Sequence, residues 1–267
     1  MCVDTPTRKP LDRHRLWSQL SDKSDFWTEI DVVQTTESTN VDLADAAKHG
    51  AREGRVLIAE EQSGGRGRLD RQWVSPARAG LTMSFLLRPA APREQWGTLS
   101  LLTAVALEET LKAVCGVSAK LKWPNDVLID GRKVCGILAQ VEGGAVIVGA
   151  GLNVSLAEEE LPVPEATSLL LAGASTLDRE AIAVGFLAHV AAVYQSWNER
   201  GPASVIERWR RHSATLGRHV EVSFPNGRKV TGRAIGIDNA GCLQVSQPDG
   251  AVATVAAGDI VHLRPQG

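Results

Sequence analysis

Residues 126–154, DVLIDGRKVCGILAQVEGGAVIVGAGLNV, leave the backbone few choices. Asp130-Gly131 and Gly143-Gly144 interrupt three apolar runs rich in valine and isoleucine. Residue pairs of this kind tolerate positive φ at both central positions of a tight turn, and the twist of that turn matches the twist of the strands it joins. Two consecutive hairpins are expected. RVLIAEEQ (55–62) reads as a buried strand and LTMSFLLR (81–88) as another; IDVVQTTESTN (30–40) reads as a strand ending in a turn.

Helical periodicity separates these strands. VDLADAAKHG (41–50) follows the first turn, with Ser38, Thr39 or Asn40 as cap and Gly50 as stop. From Gln95 to Cys115, Leu99, Leu102, Thr103, Ala106, Thr110, Leu111 and Val114 recur on one helical face, and Gly116 ends it. Two more helices are expected over 178–200, with Ile182, Phe186, Val190, Val193 and Trp197 on one side, and over 202–214. After Leu216-Gly217 the texture changes to short alternating strands broken by PNG, NAG and QPDG. The fold class is therefore α+β: a mixed sheet packed by helices, followed by a small β-barrel. The divisions are a polar arm over 1–25 holding at most one helix, a main domain over 26–216 and the barrel over 217–267.

Composition removes several functions. A chain of 267 residues that is 43% apolar can fill a full core, but its net charge of −2 does not hold nucleic acid by bulk attraction. Cys2, Cys115, Cys135 and Cys242 lie far apart, form no C-x-x-C pair and have no histidine at ligand spacing, so reduced thiols are expected rather than zinc. No apolar run reaches the roughly 20 residues of a membrane span. The polar N-terminus lacks a signal-peptide core and is too short for a helix-turn-helix domain, and a soluble cytoplasmic protein is expected.

Four segments carry chemistry. EEQSGGRGRLDRQW (60–73) gathers Arg66, Arg68 and Arg71 among three glycines. It is neither a P-loop nor a dinucleotide fingerprint, because Asp70 stands where the third glycine belongs. A solvated loop, an unrepeated RGG-like segment and an anion-wrapping loop remain open. In the last, glycine amides approach phosphate oxygens and arginines add bidentate bonds. KWPND (122–126) marks a sharp exit from a sheet. Asn125 and Asp126 serve there as turn formers or as ligand-reading groups, and Lys133 points to water or into a pocket. In VGAGLNV (148–154) two glycines permit close approach by a ligand or another backbone. TTESTN (35–40) supplies a helix cap whose N-terminus also suits a polar ligand.

Taken in this order, the segments resemble the biotin protein ligases. That family's pattern is an S-T-N turn, a G-R-G-R loop ending near a tryptophan, K-W-P-N-D, a lysine seven residues later, then G-x-N. This sequence supplies Ser38-Thr39-Asn40, Gly65-Arg66-Gly67-Arg68 with Trp73, Lys122 to Asp126, Lys133 and Gly151-Leu152-Asn153. It departs at Asp70, where family members often carry glycine. The resemblance implies a class II synthetase-like catalytic domain and an SH3-like terminal barrel, in the monofunctional form without an N-terminal DNA-binding domain. It implies that biotin and ATP give biotinyl-5′-AMP, which then acylates one lysine of the biotin carboxyl carrier domain of acyl-CoA carboxylase.

By the same resemblance Ser38, Thr39, Asn40, Gln62, Arg66, Gly67, Arg68 and Lys133 bind biotin. Arg68, Arg71, Trp73, Lys122, Asn125, Lys133 and Asn153 bind ATP or the adenylate, with Trp73 stacking on adenine. Lys133, Arg68 and Asp126 are the catalytic set. Mg²⁺ accompanies ATP, its ligands unassigned, and no tightly bound cofactor is implied. No nucleic-acid or membrane partner is expected, and the chain is a monomer or weak homodimer. A lipoate–protein ligase shares the adenylation logic and is the alternative.

Overall fold

The computed structural model describes residues 7–263 apart from 69, 70, 225 and 257; Asp70 and Cys2 lie outside the described residues. The elements run α1 (Arg13–Ser21), β1 (Glu29–Thr36), α2 (Thr39–Lys48), β2 (Arg55–Gln62), β3 (Gly80–Leu87), α3 (Thr98–Cys115), β4 (Lys120–Lys122), β5 (Asp126–Ile129), β6 (Arg132–Glu142), β7 (Ala145–Asn153), α4 (Arg179–Arg200) and α5 (Ala203–Arg211). Five short strands follow: β8 (His219–Ser223), β9 (Lys229–Ile237), β10 (Leu243–Ser246), β11 (Val252–Val255) and β12 (Asp259–His262).

Both hairpins form as their turn residues require. Asp130 and Gly131 have φ of 50° and 80°, and Gly143 and Gly144 have φ of 56° and 70°. They set β5, β6 and β7 antiparallel within a seven-stranded sheet of order β1-β2-β3-β7-β6-β5-β4. Among the strands described in this sheet, β1 and β2 are the one pair that runs parallel, with α2 crossing between them. The mixed sheet read from the sequence is thus present. A second sheet, order β11-β10-β9-β8-β12, is antiparallel throughout and holds the C-terminal residues.

The helices divide unequally between the two faces of the large sheet. On one face α1, α3, α4 and α5 build the main core around Phe85, Phe186, Tyr194, Trp197 and Trp209. On the other face α2 stands alone, burying Leu43 and Ala47 against Leu57, Leu86, Ala145 and Ile147. A ten-residue helix cannot cover seven strands, so β6 and β7 stay open beside its N-terminus. That uncovered area becomes the site.

Two helix boundaries differ from the periodicity. The α3 helix begins at Thr98 rather than Gln95, because residues 93–95 form a separate 3₁₀ turn behind Pro92. The α5 helix stops at Arg211 rather than near Ala214, because the next residues leave it to pair with β4. Leu121 N donates to His212 O at 2.9 Å, and Ala214 N donates to Leu121 O at 2.8 Å. The N-terminal arm carries one helix, capped by Asp12 and buried through Leu16 and Leu20 against α4 and β1.

Candidate active site

A cavity of about 360 Å³ opens on the uncovered face of the large sheet, between the N-terminus of α2, the arginine loop, the KWPND turn and β12. Its two ends differ in chemistry. At the α2 end the polar groups are uncharged and mutually bonded. Ser38 holds the N-cap position but makes no side-chain capping bond. Gln62 Oε1, from the end of β2, takes over by accepting from Thr39 N at 2.8 Å and from Thr39 Oγ1 at 3.0 Å. Thr39 Oγ1 also lies 2.7 Å from Ser84 Oγ, which donates to Asn40 Oδ1 at 2.6 Å. Asn40 Nδ2 donates to Gln140 Oε1 at 2.7 Å and to Leu138 O at 3.2 Å. Gly149 admits this amide, since a Cβ there would collide with Asn40 Oδ1. The result is a rigid wall of neutral donors and acceptors, which suits a ligand edge that offers both.

The opposite end is charged. Arg68, Arg71, Lys122 and Lys133 line it with the carboxylates Asp126 and Asp259. Cations outnumber carboxylates, so the end favours an anion. Burial lowers the Lys122 ammonium below the ordinary lysine range; Asp126 opposes that shift, and Lys133 and Arg71 reinforce it. Burial likewise lowers the Arg68 guanidinium, with Asp126 opposing and Arg71 reinforcing. An arriving phosphate or carboxylate relieves this crowding of like charge.

Lys133 points into the cavity, not to water. Its main chain is gripped on both sides: it pairs with Leu128 of β5, while its N–H and C=O bond Glu165 O at 2.7 Å and Thr167 N at 2.8 Å. A register shift in the β5–β6 pairing falls beside it, and a bulge of this kind re-aims a side chain across the sheet. Lys133 Nζ comes 2.6 Å from Asp126 Oδ1, an ion pair whose angles do not make a hydrogen bond. It also stands 5.9 Å from the centre of the Trp73 ring. The Trp73 indole lies on Gly136 and Gly151, and a Cβ at Gly151 would enter the ring. Its Nε1 is buried and has no hydrogen-bond partner among the described residues.

The arginine loop folds back as a narrow hairpin, with Gly67 N on Arg71 O at 2.6 Å and Trp73 N on Gly65 O at 2.8 Å. Arg68 thereby reaches the charged end. Arg66 stays at the rim, 3.5 Å from Glu37. Arg71 pairs with Asp259 of β12, so the C-terminal sheet closes one side of the cavity.

Thirteen of the fourteen residues singled out from the sequence line this cavity, and Asn153 does not. Asn153 is buried and donates to Thr167 O at 2.9 Å, and its Oδ1 has no partner among the described residues. Asn125 lines the cavity while locking the turn, its Nδ2 donating to Ile137 O at 2.7 Å. Ser84, Gln140 and Asp259 join the site from outside the four sequence motifs. Ser84 was legible only as one polar residue in the apolar run of β3, and Asp259 only as a charge within a short strand.

His262, on β12 behind Asp259, is pushed down to about 4 by burial, with Lys122 and Arg218 adding to the effect. The folded protein therefore keeps this ring neutral, whereas the unfolded chain protonates it below about 6.5. Its contribution to stability is complete above that value and is lost as pH falls toward 4. Comparison of urea midpoints at pH 7 and pH 4.5 should show a smaller loss for His262→Gln than for the parent chain. Equal losses would remove His262 from the account.

The site brings a neutral hydrogen-bonding wall and a cationic end together on a mixed sheet, the arrangement of a protein ligase that activates a carboxylic acid. Residues 31–156 match the biotin/lipoate A/B protein ligase family, and residues 215–263 match the biotin protein ligase C-terminal domain. The chain is 43% identical over 264 residues to the biotin–[acetyl-CoA-carboxylase] ligase of Mycobacterium tuberculosis, covering 96% of this chain and 97% of that one. It is 30% identical over 238 residues to the bifunctional ligase/repressor BirA of Escherichia coli, covering 86% of this chain and 73% of BirA. The solved biotin protein ligase of Aquifex aeolicus, in complex with biotin and ATP, superposes with a TM-score of 0.77 at 26% identity, covering 89% of this chain and all of that one. The chain belongs to the biotin protein ligase family.

Proposed function

We propose that this chain is an ATP-dependent biotin–[acetyl-CoA-carboxylase] ligase that works through biotinyl-5′-AMP. The observation that carries the reading is the junction of the two ends of one cavity: a neutral wall at Thr39 and Gln62, and four cations around Asp126. Biotin's ureido ring offers two N–H donors and one carbonyl acceptor, which the neutral wall can answer. Its carboxylate then lies toward the cations. Two unit negative charges 4 Å apart repel by about 4 kcal/mol at an effective dielectric of 20, a barrier of about three powers of ten in rate. Arg68, Arg71, Lys122 and Lys133 offset that repulsion.

In the first step a carboxylate oxygen attacks the α-phosphorus, the bond to the bridging oxygen breaks, and pyrophosphate leaves. In the second, the carrier lysine's amine attacks the acyl carbon and AMP leaves with the bond electrons. Asp126 takes the amine's proton in this reading, and no covalent link to the enzyme is required. Trp73 stacks on the adenine, and Asn125 bonds the nucleotide.

Mg²⁺ fits as an ion carried in on the triphosphate. Among the described residues no cluster of three or more His, Cys, Asp or Glu side chains is placed to hold a metal. One carboxylate together with phosphate oxygens suffices for Mg²⁺, and Asp126, which lines the cavity as the ion-pair partner of Lys133, is a carboxylate placed to serve. When bound, the ion neutralises charge on the leaving pyrophosphate. The carrier domain of acyl-CoA carboxylase is the acceptor, and the cytoplasm, where ATP and free thiols coexist, is the site of action. No helix among the described residues is long and apolar enough to cross a membrane.

The test is incubation with biotin, Mg-ATP and a carboxyl carrier domain, read by mass. One added biotin per carrier is expected, with pyrophosphate released before the carrier is added. Lipoic acid in place of biotin is expected to release none. Pyrophosphate from lipoic acid alone would reverse the assignment.

A further inference from the structure

We propose that Thr215, in the linker between α5 and the C-terminal sheet, is a positioning residue for adenylate formation, holding the Lys122–Asp126 turn in place through the Trp123 main chain. The inference rests on the function proposed above. The β4 strand has three residues and ends the order of the large sheet, so little within that sheet fixes it. The linker supplies what is missing. Leu121 and Ser213 pair in parallel, and Thr215 Oγ1 then accepts from Trp123 N at 3.0 Å, one rung further on. Pro124 has no N–H, so the Trp123 amide is the last main-chain donor before the turn reaches Asn125.

The same hydroxyl faces the second sheet. Thr215 is fully buried, and its Oγ1 lies 3.3 Å from His262 Nε2 on β12. A hydroxyl has one proton. Accepting from Trp123, it keeps that proton and a second lone pair for His262 Nε2, so it can meet either tautomer of the ring. Trp123 is fastened a second time by its indole, with Nε1 donating to Gly241 O at 3.0 Å. The tryptophan of KWPND is therefore a fastener between the two sheets. What it fastens is the turn that carries Lys122 on one side and Asp126 on the other, both lining the charged end of the cavity. The neutral wall at Thr39 and Gln62 hangs from α2 and β2, and among the described residues its side chains share no hydrogen-bond partner with Thr215.

This separation makes the role measurable. Thr215→Val keeps the shape and loses the hydroxyl; Thr215→Ser restores it. Misplacement of a reacting group by a remote change costs up to about 100-fold in rate. For Thr215→Val, biotin-dependent pyrophosphate release at varied ATP should fall by about 10- to 100-fold in kcat/KM, while biotin affinity without ATP stays within about twofold. Thr215→Ser should recover most of the loss. Arg210→Gln, which removes the bond from Arg210 to Ile237 O elsewhere on this junction, should lower the melting temperature with ATP kinetics unchanged.

A Thr215→Val enzyme with parental ATP kinetics would overturn the proposal. So would equal losses of biotin affinity and ATP turnover, or failure of serine to rescue. Should the valine variant not fold, Thr215→Ala takes its place. Amide exchange at Trp123 in the unaltered chain decides independently: slow exchange supports the clamp, and exchange as fast as a solvent-exposed loop refutes it. An unaltered chain that releases no pyrophosphate at all would instead strike at the function itself.

Discussion

Replacing Lys133 with alanine is expected to slow biotinyl-adenylate formation by about 10²- to 10³-fold, the usual loss when one preorganised electrostatic contact to a developing charge is removed. Lys133 is held by its main chain on two sides and aimed by the neighbouring bulge, so its ammonium is in place before substrate arrives. No reorganisation is then needed as the carboxylate closes on the α-phosphate. The substitution also strips Asp126 of its 2.6 Å partner, leaving a carboxylate facing two substrate anions. Both effects act on the charged end. Biotin affinity in the absence of ATP should fall by much less than the rate, since the Thr39–Gln62 wall is untouched. Single-turnover pyrophosphate release at saturating substrates measures the first quantity and calorimetry the second. Release at the unaltered rate would exclude Lys133 from the chemistry.

Lys133 also marks the border of what the sequence could say. Its position after Asp130-Gly131 placed it in a strand, because hairpin turns are set by local φ and two residues suffice to announce them. Which face it took was not legible, because the register shift beside it depends on pairing with β5 and with residues 165–167, none of it local. The neutral wall follows the same rule. Ser38-Thr39-Asn40 read as a helix cap, and a cap position it is, but the bond that caps it comes from Gln62, 23 residues away. Ser84 and Gln140 complete the wall from β3 and β6, and no spacing in the chain connects them to Asn40. Asn153, read beside two glycines as a nucleotide contact, lies outside the cavity lining, with its side chain donating to Thr167 O and its main-chain carbonyl accepting from Leu169 N, neither of them local. Motifs fixed by backbone geometry were readable; partners brought together by the sheet were not.

The largest stability effect is expected at a pair that no motif announces. Arg179, at the start of α4, places Nη1 2.6 Å from Glu60 Oε2 of β2, with side-chain exposures of 7% and 2%. Arg179 Nη1 also donates to Gly80 O at 3.2 Å, and two further bonds tie down the N-terminal arm: Glu60 Oε1 accepts from Leu11 N at 2.5 Å, and Arg179 Nη2 donates to Lys9 O at 2.6 Å. Arg179→Met leaves a carboxylate buried without its counter-ion, which costs about 3–5 kcal/mol. In a domain of this size each kcal/mol shifts the melting temperature by about 2–4 °C, so a drop near 10 °C is expected. Glu60→Leu with Arg179→Met removes both charges and should recover most of that loss. It should not recover all, because Leu11 N and Lys9 O then lack partners, and each costs about 1–3 kcal/mol if it stays buried. The arm avoids that cost by lifting into water, and protease cleavage before Asp12 should accelerate in the double variant. Arg8, bonded to Ser155 and Glu160, limits how far it can lift. Because Glu60 stands two residues before Gln62 on the same strand, the single variant should also bind biotin more weakly, and the double variant less so. An Arg179→Met protein within about 1 kcal/mol of the parent would mean that water reaches Glu60 and that the pair is not sealed by the arm.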